Sequence, residues 1–121
     1  MADKLLIIMA NADPNNGSEL GVPIYQATVA AAMEYEVEIV LTGRCAVLAK
    51  PSLAEKLFVQ EGGKSIYDFI KDAHEAGVII KVSTPVLEQW GDDLIPEIFE
   101  IVGEAYVISE AMNDDTVTFT Y

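Results

Sequence analysis

Short apolar runs alternate along this chain with stretches whose apolar residues recur at helical spacing, and that alternation confines it to an α/β fold. Lys4 to Ala10 is a continuous apolar run, as expected of a central parallel strand covered on both faces. The turn formers of Asn11 to Gly17 end it. A helix is predicted to start between Ser18 and Pro23 and to end near Met33 or Glu34, with Pro23 in its first turn. Glu36 to Thr42 supplies the β-branched bulk of a second strand. Gly43 permits a sharp turn, and Arg44 to Lys50 reads as a short helix stopped by Pro51. A further short helix is expected around Leu53, Leu57 and Phe58, ahead of a loop ending in Gly62-Gly63.

The clearest helix follows. Ser65 caps it, Asp68 completes a capping box, and Gly77 closes it in the left-handed conformation. Ile66, Phe69, Ile70 and Ala73 form its buried stripe. Val78 to Val82 reads as a third strand with Ser83-Thr84-Pro85 as its exit. A broken helix is expected within Val86 to Val102, restarting at Asp92 or Asp93 with Pro96 in the new first turn. Ala105 to Ile108 reads as a fourth strand, Glu110 to Asp115 as a turn or single helical turn, and Thr116 to Tyr121 as a fifth strand. The sum is one domain over residues 1–121: a three-layer α/β/α sandwich on a mostly parallel five-stranded sheet.

Charge and cysteine content narrow the function classes. The formal net charge is −13, from 20 acidic and 7 basic residues. Nucleic acids and anionic membranes both need a basic footprint, so neither is an expected partner. An acidic surface suits solubility or steering of a basic protein, and the simplest view is that these residues solvate the exterior. No apolar run approaches the roughly 20 residues that cross a bilayer. Leu5 to Ala10 is too short for a signal core, and the single cysteine has no internal partner, so a reducing cytoplasm is the expected location.

That cysteine, Cys45, stands at the exit of the second strand, in Thr42-Gly43-Arg44-Cys45. A thiol near a helix N-terminus and an arginine can have a depressed pKa and react as thiolate. Free cysteine is also among the most buried residue types, which gives the inert alternative. Ligands of open α/β sheets bind outside the carboxyl ends of the strands. If the first three strands are neighbours, their exits bring together Asn11, Thr42, Gly43, Arg44, Cys45, Ser83 and Thr84. Such a pocket suits a thiolate, a persulfide or a small oxyanion. Taken singly, Thr42, Ser83 and Thr84 can be caps or turn closers. Trp90 can roof the pocket or pack in a core or interface.

Other chemistry is missing from the sequence. It has no glycine-rich phosphate loop and no C-x-x-C, and one His with one Cys makes a structural zinc site implausible. No cofactor and no metal is expected. His74 falls near the C-terminal end of its helix, away from the strand exits, and reads as a surface residue complementing the helix dipole.

The whole chain resembles the DsrE/DsrF-like family of small sulfur-relay proteins, including its peroxiredoxin-like branch. The resemblance rests on Lys4 to Ile8, on Ala27 to Met33 leading into Glu38 to Gly43, on Ile66 to Phe69 through Ala76-Gly77-Val78, and on Ala105-Tyr106-Val107. It implies a flavodoxin-like α/β/α fold, homo- or hetero-oligomers, often trimers or hexamers, and transfer of sulfane sulfur as a cysteine persulfide. Many members carry a cysteine just after the third strand; here that exit holds Ser83, whose hydroxyl cannot carry a persulfide.

Three functions follow. In the first, Cys45 is the only carrier available to a sulfur-relay protein, a sulfurtransferase-like role with a sulfur-carrier protein as partner. In the second, the chain is a non-catalytic binding or assembly module that has lost the family cysteine. In the third, it is a thiol peroxidase, which would need a resolving cysteine from another subunit or protein. A homo-oligomer is also expected because Tyr25, Tyr35, Phe58, Trp90, Phe99 and Phe119 exceed what a core of this size absorbs.

Overall fold

The computed structural model describes residues 3–60, 62–85, 88, 91 and 93–121. Five strands form one sheet: β1 (Lys4–Met9), β2 (Glu36–Leu41), β3 (Ile79–Ser83), β4 (Ile98–Val102) and β5 (Thr116–Thr120). Their order is β4-β3-β2-β1-β5, and every pair is parallel. Among the described residues three α-helices cover it: α1 (Gly17–Ala32), α2 (Ile66–Glu75) and α3 (Glu104–Ala111). Residues Gly43–Ala49 and Ala54–Lys56 are 3-10 turns.

Each crossover from β1 to β3 steps the same way across the sheet, so right-handedness places α1 and α2 on one face. The connection from β4 to β5 runs back the other way, which puts α3 on the opposite face. The result is the expected three-layer sandwich. The outer place beside β1 is taken by the last strand.

The two faces differ in chemistry. Under α1 and α2, Ile7, Met9, Ile39, Leu41, Ile80 and Val82 meet Leu20, Ile24, Ile66 and Ile70 in the main core. Under α3 the apolar cluster is small: Leu6, Val40, Val102 and Val107. Beside it the same sheet face buries Glu38 and Lys81.

Local signals explain the helix ends. Asn16 caps α1, its Oδ1 accepting from the Ser18 and Glu19 amides. Ser65 and Asp68 form the reciprocal capping box at α2, and Gly77 has φ +102° just after it. Helix α1 begins earlier than expected, so Pro23 lies in its interior rather than its first turn. The region after β3 differs most. Ile98–Val102, expected as the end of a helix, is strand β4, and the expected strand Ala105–Ile108 lies inside α3. Of the two expected caps for a restarted helix, Asp92 falls outside the described residues and Asp93 caps none, since residues 93–95 are irregular and Pro96 sits in the turn entering β4. A four-residue apolar run has no resolvable period, and β-branched Ile98, Ile101 and Val102 hold the better strand composition.

Candidate functional site at the strand exits

Because β1, β2 and β3 are neighbours, the predicted exits lie side by side on one edge of the sheet. The β1 and β2 exits are tied by backbone bonds: Thr42 N donates to Met9 O at 2.9 Å and Arg44 N to Ala10 O at 3.2 Å. Gly43 makes this approach possible. Its φ is +53°, and a Cβ there would lie 2.9 Å from Ala10 O. The β3 exit is tied to β4 instead, Thr84 donating through both N and Oγ1 to Val102 O, each at 2.9 Å.

Side chains at this edge are turned to one another more than to a ligand. Arg44 Nη2 pairs with Asp13 Oδ1 at 3.1 Å, both half-exposed. Thr42 Oγ1 reaches Glu104 Oε1 at 3.5 Å. Asn11 is exposed and Ser83 is buried at 1 %. Asn11 lines a depression of about 420 Å³ with Ser18, Glu19, Val22 and Tyr121, beside β1 and β5. Trp90 falls outside the described residues.

Cys45 is at 0 % exposure within the main core. Its Sγ donates to Ala12 O at 3.4 Å. Burial pushes the thiol up from its ordinary value, against the smaller pulls of the Ala12 backbone and the Arg44 charge. Two features that would activate it are weak here. The segment that holds it, Gly43–Ala49, is a seven-residue 3-10 helix rather than an α-helix, and the guanidinium is engaged by Asp13.

His74 sits exposed in the last turn of α2, as expected. Among the described residues no group of three His, Cys, Asp or Glu side chains could hold a metal ion, and no helix is long and apolar enough to cross a membrane.

The chain is similar in fold to the ychN protein from E. coli. The two structures superpose with a TM-score of 0.71 over 98% of this chain and 99% of that one, at 17% sequence identity. This bears out the α/β architecture that the resemblance implied. No family model matches the sequence, and no curated protein matches it.

Sequence reasoning missed a second polar cluster, on the α3 face. Lys81 Nζ lies 2.8 Å from Glu38 Oε1 and 2.9 Å from Glu100 Oε1, and it donates to the Tyr106 hydroxyl. That hydroxyl has Glu38 Oε1 at 2.8 Å and Glu110 Oε1 at 3.0 Å as acceptors. Lys4 Nζ closes the group, 3.0 Å from Glu110. The available signal was a charged residue in the middle of each of two apolar strands, Glu38 and Lys81, at the position facing α3. Its mutual pairing is the pattern of a structural ion network rather than of a vacant site.

Proposed function

We propose that this chain is a non-catalytic binding or assembly module on a DsrE-like fold. The observation that carries the reading is the state of Cys45: fully buried, hydrogen-bonded to Ala12 O and with its pKa raised. A sulfur carrier must present its thiolate to a donor and then to an acceptor, and a buried neutral thiol does neither. The family position after β3 offers no substitute, because it is a buried serine. Thiol peroxidase chemistry meets the same obstacle, since it also begins from an accessible thiolate.

Thiol–disulfide exchange with a chromogenic aromatic disulfide tests this. Native protein is expected to react at least tenfold more slowly than protein in denaturant. Native reaction at the unfolded rate would return Cys45 to the list of working thiols and favour the sulfur-relay reading.

A further inference from the structure

Among the described residues the sheet has two unpaired edges, β4 and β5, and they are built differently. At β4, Pro96 precedes the strand, the register with β3 shifts between Ile80 and Lys81, and Glu100 places a charge within the strand. These are devices that natural proteins use to keep an edge from pairing. At β5 the strand reads Thr116-Val117-Thr118-Phe119-Thr120, with no charge and no proline, paired residue for residue with β1.

A groove of about 580 Å³ runs along β5, floored by Val117 and Phe119 and walled by Tyr25 and Val29 of α1 and by Met33 at its C-terminal cap. Met33 is 62% exposed and Tyr25 58%. None of the residues lining the groove carries a carboxylate. In a chain of net charge −13 this strip, whose one charged lining residue is Lys4, offers a second copy little repulsion, and a basic partner would be drawn to the carboxylates elsewhere.

The backbone fixes how a second copy would fit. Asp115 O accepts from Lys4 N, and Tyr121 N donates to Ile8 O, so the odd-numbered residues of this segment bond inward to β1. By alternation, Thr116, Thr118 and Thr120 direct their N–H and C=O to the open edge. An antiparallel pair centred on Thr118 sets Thr118 opposite Thr118, Thr116 opposite Thr120, and Val117 opposite Phe119 on the groove side. Thr–Thr and apolar β-branched–aromatic pairs are favourable cross-strand partners. Among the described residues Thr118 Oγ1 is the one buried side-chain polar atom with no hydrogen-bond partner.

We propose that two copies of this chain pair through β5, antiparallel about a two-fold axis at Thr118, with the α1–β5 groove closing over the joint. This rests on the reading of the chain as an assembly module and names the partner as a second copy. Sedimentation velocity on the full chain at micromolar concentration tests it. The expected result is a dimer or a higher even-numbered assembly. Thr118→Pro removes an outward N–H and leaves the inward ladder to β1, and Phe119→Lys puts a charge on the joint. Whichever variant keeps the wild-type far-UV circular dichroism is expected to sediment at half the mass, or to raise the dissociation constant at least tenfold. A wild-type monomer, an odd-numbered assembly, or a folded variant with the wild-type mass would overturn the interface. Persulfide loading of Cys45 would overturn the assembly-module reading instead, so the two failures are told apart.

Discussion

Single residues carry the clearest consequences. Removing the Cys45 sulfur leaves a small hole in the main core, so Cys45→Ala is expected to cost about 1 kcal/mol, measured by urea unfolding. Tyr106 accepts from Lys81 and has Glu38 and Glu110 as its own acceptors, so it joins the two glutamates of the α3-face network. Tyr106→Phe strands partners already removed from water and is expected to cost about 1–3 kcal/mol. The network also sets a pH response. Burial, with Glu38 and Glu110 adding to it against the opposing pull of Lys81, pushes the Tyr106 phenol up to about 12 from 10.0. Burial alone would lower Lys81, but its bonds to Glu38, Tyr106 and Glu100 outweigh that and raise it. Groups raised on folding give stability that is complete below their unfolded values and lost as pH climbs through the folded ones. The protein is therefore expected to lose stability between about pH 10 and about 12, with a shallower loss in Tyr106→Phe. Glu110 is lowered, chiefly by Lys4, so its contribution is present above 4.5 and lost as pH falls through its folded value. Chemical denaturation across pH checks both limbs.

At the scale of elements, the sequence is legible where a signal is local and chemically specific. The Ser65–Asp68 box and Gly77 fixed both ends of α2 because caps satisfy particular backbone groups. Ser65→Ala is expected to cost about 1 kcal/mol for that reason. Gly43 was equally readable, and Gly43→Ala is expected to destabilise by more than the ~1 kcal/mol usual for a glycine, because both the positive φ and the Ala10 carbonyl oppose a Cβ. Signals failed where they were short or non-local. Ala105 to Ile108 is apolar enough for a strand, yet β4 had already filled the edge place beside β3, and the chain needed a helix to return to β5. Pro23 mispositioned the start of α1, since the Asn16 cap lies a full turn before the residues that the proline suggested. The burial of Cys45 is not legible in the sequence, because it depends on the 11–16 loop folding over the β2 exit, which no local pattern encodes.

For the whole molecule, the sequence carried the layer order and the adjacency of the first three exits but not their use. Those exits do converge on one sheet edge, as the strand order required, but Arg44 is engaged by Asp13, Thr84 by Val102 O, and Cys45 by Ala12 O. The open apolar strip lies elsewhere, along β5 and α1, where Tyr25, Met33, Val117 and Phe119 stay exposed. That distribution of satisfied and open groups is why the molecule is read as an assembly element rather than a thiol catalyst. The most direct test is intact-mass spectrometry of the native chain and of Cys45→Ala after incubation with a persulfide donor. No added sulfur is expected on either native protein, and added sulfur on the wild type only once it is unfolded. A stoichiometric gain of sulfur on the native wild type, absent from Cys45→Ala, would contradict this.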